Sequence, residues 1–207
     1  AAALAAEAYA RLNGLGCCLV TTGPGGTNAL TGVACAWIDS TPVLFISGQV
    51  TSGTLMAGTN LRQRGVQESD IVSLVKSITK EAVTLKDATR IRYELERAAF
   101  LAQSGRPGPV WLDIALDLQS KRIDPAALEG FNATVYGTKL YTYGIENCLN
   151  LLRKAKRPVL IAGNGIRLSG AAHEFRKFVH GTGIPTVTSW GAADMLDSGN
   201  PLHIGQC

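Results

Sequence analysis

Thr21-Thr22-Gly23-Pro24-Gly25-Gly26-Thr27-Asn28 is the stretch whose reading decides the fold. It follows the short apolar run Cys17-Cys18-Leu19-Val20 and precedes a helix-like run from Ala29 to Ile38. A strand, a glycine-rich turn and a helix start in that order place backbone N–H groups at the carboxyl end of a parallel sheet. Open α/β sheets bind cofactors there. The glycines permit positive φ and close backbone approach, and Pro24 is expected to stiffen the loop. No Gly-Lys-Ser/Thr follows, so this is not a Walker loop. The G-x-G-x-x-G spacing of a dinucleotide fingerprint is also missing. On the residues alone, the stretch is either a cofactor loop or an ordinary glycine-rich turn between strand and helix.

Outward from this turn, strand and helix signals alternate. A helix is expected over 1–13, ending at Gly14 as its C-cap. Strands are expected near 17–21, 43–47, 82–85 and 109–114, and helices near 27–38, 70–77 and 87–103. The last helix carries Ile91, Leu95, Ala98, Ala99 and Ala102 at the spacing of one buried face. Short runs rich in Val and Ile, separated by helices, indicate an α/β fold with a parallel sheet covered on both faces. The segment 119–142 is polar and turn-rich and reads as a linker between a first domain, 1–118, and a second unit, 143–207. That unit is expected to hold a helix over 144–155, a strand Val159-Leu160-Ile161-Ala162, the turn Gly163-Asn164-Gly165, a helix over 169–180 and a strand over 185–188. Two strands do not close a domain, so the chain reads as an excerpt from a longer protein.

The 207 residues are 46% hydrophobic and 17% charged, with a net charge of +4, which excludes a disordered tail. Basic residues are scattered and lack interleaved aromatics, so nucleic acid is not an expected partner. The run Arg153-Lys154-Ala155-Lys156-Arg157 reads as a helix end complementing its dipole before Pro158. No apolar stretch is long enough to cross a bilayer. Cys17, Cys18, Cys35, Cys148 and Cys207 show no C-x-x-C spacing; buried free thiols in a reducing cytoplasm are expected. His173 and His180 read as solvated helix positions rather than metal ligands.

Several segments together carry a resemblance. They are Ala6-Glu7-Ala8-Tyr9-Ala10-Arg11, the glycine turn, Ala36-Trp37-Ile38-Asp39-Ser40-Thr41-Pro42-Val43, Ile46-Ser47-Gly48-Gln49-Val50, Val66-Gln67-Glu68 and Gly105-Arg106-Pro107-Gly108-Pro109-Val110. In this order they resemble thiamine diphosphate-dependent enzymes of the acetolactate synthase (acetohydroxyacid synthase) type. The resemblance covers the pyrimidine-binding N-terminal domain and the opening of a Rossmann-like central domain.

It implies that Thr21, Gly23, Pro24 and Asn28 bind the aminopyrimidine of thiamine diphosphate or line the adjacent active site. Pro24 would supply an apolar wall and Asn28 a donor and an acceptor. It places Gln67 on the substrate side of the thiazolium, with Gln63 as a rival because the segment from Val50 to Gln67 is long. The family's activating glutamate, which hydrogen-bonds the pyrimidine N1′, is expected just before Ala1, so no catalytic acid is assigned within the chain. Glu7 is expected to be a solvated helix charge. The Mg²⁺ that holds the diphosphate is expected on a further, C-terminal domain, with no metal ligands here. The central domain implies FAD, with Gly163 and Gly165 as contacts. The implied reaction is decarboxylation of a 2-oxo acid such as pyruvate, followed by transfer to an acceptor carbonyl. A simple 2-oxo acid decarboxylase and a non-catalytic cofactor- or nucleotide-binding domain are the alternatives. A homodimer or homotetramer with the active site between subunits is implied, and the chain alone is expected to be inactive.

Overall fold

The computed structural model describes residues 1–133 and 144–207, and the chain divides into two compact units, Ala1–Thr138 and Lys139–Cys207. In the first, helix α1 (Ala2–Asn13) leads into β1 (Gly16–Val20), α2 (Pro24–Ile38) and β2 (Val43–Gln49). After a long loop come α3 (Ile71–Val75), β3 (Glu81–Leu85), α4 (Ile91–Gln103), β4 (Val110–Ala115) and the short α5 (Leu116–Gln119). The four strands are parallel in the order β1-β2-β4-β3.

Alternation along the strands sends side chains to opposite faces, and each face has its own core. Phe45 and Trp111 stack with ring centroids 5.3 Å apart, on the face covered by α1, α2 and α3 through Ala6, Val33 and Ile71. Leu44 and Val110 pack against Ala98 and Ala102 of α4 on the other face, where Leu112 meets Leu85 and Leu118. Ile91 and Leu95 join this side only partly buried, so the predicted stripe of α4 is the right one. On the edge strand β1 the helix cover is one-sided, and Leu19 stays exposed.

Helices α1 and α2 cross closely because Gly32 has no side chain: a Cβ there would lie 2.5 Å from the Ala3 Cβ. Gly32→Ala gains about 1 kcal/mol of helix propensity. The overpacking it forces costs about 1–3 kcal/mol. The clash should win, and urea unfolding of Gly32→Ala should show a lower midpoint at unchanged slope; a higher midpoint would contradict the packing described.

The structure corrects several expectations. Helix α2 begins at Pro24, three residues before the expected start, so Pro24 is the first helical residue and not a stiffener of an extended loop. Proline suits that position because its missing N–H is unpaired there anyway. Glu7 is buried, not solvated: its carboxylate accepts from Arg11 Nε at 2.6 Å and from the Thr41 hydroxyl at 3.0 Å. These partners offset the penalty of burying its charge. Of the cysteines only Cys18 is fully buried, while Cys17, Cys148 and Cys207 are exposed; all five are unpaired.

Part of the expected linker packs on the first unit. Phe131 sits edge-on to Tyr93 at 5.6 Å, and its N–H donates to the Glu96 carboxylate at 2.7 Å. The remainder of the 119–142 linker reading, from 134 onward, lies outside the described residues.

In the second unit, α6 (Ile145–Lys154) ends with Arg153 and Lys154 in its last turn. It is followed by β5 (Leu160–Ala162), the one-turn α7 (Gly165–Leu168), α8 (Ala172–Thr182), β6 (Thr186–Thr188) and β7 (His203–Gln206). The expected helix over 169–180 is α8, which starts at Ala172; Gly170, at φ +74°, separates it from the one-turn α7 that precedes it. The two-strand expectation is overturned by β7, which pairs in parallel with β6 in a sheet of order β5-β6-β7. His203-Ile204-Gly205-Gln206 hid from pattern reading because Gly205, at φ +145°, and a register shift opposite it break the alternation. His173 and His180 are both exposed on α8.

Candidate functional site

The carboxyl ends of β1, β2 and β4 surround a cleft of about 550 Å³ in the first unit. Thr21 and Thr22 line it from the end of β1, Gly48 and Gln49 from β2, and Leu116 and Gln119 from just beyond β4. The loop after β2 supplies a further wall through Val50, Thr51, Thr54, Arg64, Gly65 and Val66. This is where parallel α/β sheets hold ligands. The lining carries one cation, Arg64, and otherwise neutral polar and apolar groups, with Val66 and Leu116 exposed at the rim. Such a lining suits a neutral heteroaromatic ring; a diphosphate would call for more cations or a metal. Among the described residues, no three His, Cys, Asp or Glu side chains gather as a metal site.

The turn after β1 is shaped by its contact with the long loop. Gly23, at φ +56° and ψ −111°, caps α2, and a Cβ placed on it would lie 1.9 Å from the Gln67 carbonyl oxygen. The structure thus brings Gly23 and the Gln67 backbone together. Gln67 itself has φ +59° and is exposed. Its rival Gln63 uses its amide within the loop, donating to the Gly65 carbonyl at 2.8 Å. Thr21 lines the cleft, whereas Pro24 and Asn28 are exposed on the first turns of α2 and are not among the lining residues. Asn28 lies beyond the start of its helix and so does not cap it.

Two acids that pattern reading left without a role organise this region. Glu68 is buried, and its carboxylate accepts backbone N–H groups from Met56, Arg64 (3.0 Å) and Gly65 (2.9 Å). Burial pushes this carboxyl up, but the three amide donors outweigh it and hold it below the usual range. Asp113, buried in β4, accepts from the Ser47 hydroxyl and, at 3.1 Å, from the Gln49 amide. Here burial wins over both hydrogen bonds, helped by the nearby Asp70 charge, and the carboxyl is raised. Gln49 also donates to the Ser69 carbonyl at 3.0 Å and accepts from the Thr22 hydroxyl at 3.0 Å. A signal for Asp113 existed in the sequence: it is a lone acid in the otherwise apolar run Val110–Ala115.

In the second unit the turn Gly163-Asn164-Gly165 follows β5, as expected. A Cβ on Gly163 would have only Ser189 Oγ nearby, at 4.0 Å, and one on Gly165 would meet nothing within 4 Å. Trp190, after β6, is 84% exposed, and its neighbour Gly191 packs against Asn164 of the glycine turn.

Comparison with known proteins agrees with this architecture. Residues 1–74 match the family "Thiamine pyrophosphate enzyme, N-terminal TPP binding domain", and residues 145–207 match "Thiamine pyrophosphate enzyme, central domain". The chain is 37% identical over 215 aligned residues to a probable acetolactate synthase large subunit of Methanococcus aeolicus, covering 99% of this chain and 34% of that protein. It is 38% identical to acetolactate synthase 1, chloroplastic, of Zea mays, covering 98% of this chain and 31% of that protein. With the acetolactate synthase large subunit of Corynebacterium glutamicum the identity is 37%, over 97% of this chain and 32% of that protein. The chain therefore spans 31–34% of the length of these relatives. With both domain models matched in their expected order, it belongs to the thiamine pyrophosphate enzyme family.

Proposed function

We propose that this chain supplies the pyrimidine-holding part of a thiamine diphosphate-dependent enzyme that decarboxylates a 2-oxo acid such as pyruvate and transfers the remaining carbons to an acceptor carbonyl. The observation that carries the reading is the cleft at the carboxyl ends of β1, β2 and β4, with Gly23 seated against the Gln67 backbone. The names of the relatives, all acetolactate synthases, support a ligase-type outcome over a simple decarboxylase or a non-catalytic domain.

When bound, thiamine diphosphate supplies the carbon nucleophile that such acids require. The residues of this chain bind and orient it. Thr21 and Thr22 form the floor of the cleft, Gly23 allows the turn to sit close to the loop, and the Val50–Val66 wall keeps water off one side. Gln67 faces substrate, and Asn28 and Pro24 act from the first turns of α2. The glutamate that activates the pyrimidine is assigned to no residue between Ala1 and Cys207.

Finer features of the reading follow. Mg²⁺ and the diphosphate are held by residues other than these. FAD binds the second unit at Gly163 and Gly165, supported by the open space there and the exposed face of Trp190. A second copy closes the cleft in a homodimer or homotetramer, supported by apolar Val66 and Leu116 at its rim. Five unpaired cysteines support a reducing compartment such as the cytoplasm.

The complete gene product, incubated with pyruvate, thiamine diphosphate and Mg²⁺, should release CO₂ and form a carboligation product in matching amounts. Acetaldehyde in place of that product would move the reading to a decarboxylase. No pyruvate consumption together with no cofactor binding would move it to the non-catalytic alternative.

A further inference from the structure

We propose that Gln49 is a positioning residue for the cofactor turn, acting through the Thr22 hydroxyl; this rests on the thiamine diphosphate reading above. The four hydrogen-bonding positions of its amide are all used. The nitrogen donates to the Ser69 carbonyl and the Asp113 carboxylate, and the oxygen accepts from the Val50 N–H at 2.9 Å and from Thr22 at 3.0 Å. One side chain thereby joins four segments: the turn before α2, the end of β2, the approach to α3, and the centre of β4.

Chemistry fixes which way this amide points. Ser69 O and the Asp113 carboxylate only accept, and the Val50 N–H only donates. Flipping the amide would set oxygen against oxygen and N–H against N–H. The Thr22 hydroxyl must therefore give its proton to Gln49, and the face it turns toward the cleft offers lone pairs only. Behind Gln49 the carboxylate is itself held: Trp111 Nε1 donates to Ser47 Oγ at 2.8 Å, and Ser47 donates on to Asp113. Every member of this chain except Thr22 and Ser69 belongs to a strand or its immediate end, so the turn inherits its placement from the rigid sheet. Thr22 directly precedes Gly23, the residue in contact with Gln67, so a shift of the hydroxyl moves the backbone that meets the substrate-side loop.

The test is calorimetric titration of thiamine diphosphate, with Mg²⁺, into the complete gene product and four variants: Thr22→Val, Gln49→Glu, Asp113→Asn and the double Gln49→Glu/Asp113→Asn. Gln49→Glu sets two carboxylates face to face and should weaken Kd about tenfold or more. The double variant restores a donor opposite an acceptor at one of the two lost contacts, since the amide at 113 donates to the carboxylate at 49 and still accepts from Ser47, while the Ser69 carbonyl stays unpaired. Its Kd should be several-fold tighter than that of Gln49→Glu alone, a coupling that independent sites do not show. Thr22→Val removes one hydroxyl and should weaken Kd about three- to tenfold.

A Gln49→Glu variant that melts earlier yet binds within about twofold of wild type would reduce Gln49 to a structural role and overturn the inference. Additive effects in the double variant would do the same. If Gln49→Glu does not fold, Thr22→Val decides, and an unchanged Kd overturns the proposal. Wild type that fails to bind removes the functional reading itself, which separates the two failures.

Discussion

Gly23→Ala should abolish thiamine diphosphate binding and destabilise the first unit more than other single changes in the turn. Two effects act together. At φ +56° and ψ −111° an L-residue is in a region that essentially glycine alone occupies, at a cost of about 1–3 kcal/mol. The added methyl would also meet the Gln67 carbonyl oxygen at 1.9 Å, and that obstacle is backbone, not the mobile end of a side chain. Relief requires the turn and the loop to part, which separates the cofactor side of the cleft from the substrate side. Thermal unfolding should move down by several degrees, and titration of thiamine diphosphate should show no saturable heat. A Gly23→Ala protein with wild-type melting and affinity would mean that the close approach at Gly23 is not required.

The second large effect belongs to Glu68. Glu68→Gln keeps the size of the side chain but turns one acceptor oxygen into a donor. The carboxylate serves Met56 with one oxygen and Arg64 and Gly65 with the other, so any amide orientation leaves at least one N–H facing an NH₂ group. An unmatched buried donor costs about 1–3 kcal/mol. The cost should fall on the loop, not on the sheet. Hydrogen exchange of amides over 56–65 should speed up by about tenfold or more while strand amides keep their protection. Uniform acceleration across the first unit, or none, would contradict this assignment.

The pH dependence follows from the same carboxylate. Its folded pKa lies below that of the unfolded chain, so the folded state binds fewer protons where the two differ. The stabilisation from Glu68 is therefore fully present above the unfolded carboxylate range and is lost as pH falls through the lowered folded value. Asp113 has the opposite sign: its raised pKa makes protonation favour the folded state, so its contribution falls as pH rises toward the raised value. Loop opening on acidification should follow Glu68, and Glu68→Gln should remove that acid-dependent component from exchange at 56–65.

These arguments show what was legible in the sequence. The parallel α/β architecture was readable because β2 and β4 carry β-branched and aromatic runs with helices between them, and periodicity reports burial directly. The start of α2 was less so. Glycines at 25 and 26 disfavour helix on propensity, yet tertiary packing of Gly26 against Ile71 and Trp111 holds them helical. Strand β7 was missed because its pairing partner, not its own pattern, makes it a strand. Glu7 looked solvated because a lone helix carboxylate usually is; its buried partner is Thr41, 34 positions away.

The candidate site divides in the same way. Its turn and Gln67 were visible as motifs. The hydrogen-bond chain from Thr22 through Gln49 to Asp113 and Ser47 was not, because its partners lie up to 66 residues apart; only Asp113, the lone acid of an apolar strand, left a local trace.

Hydrogen exchange of the complete gene product with and without thiamine diphosphate and Mg²⁺ tests the central claim most directly. Binding should protect the amides of 21–28 and of the 48–66 wall within the first unit, since the proposal seats the cofactor's ring in the cleft at the ends of β1, β2 and β4. Saturable binding that leaves both stretches at their unliganded rates would contradict it, and would put the cofactor elsewhere on the protein.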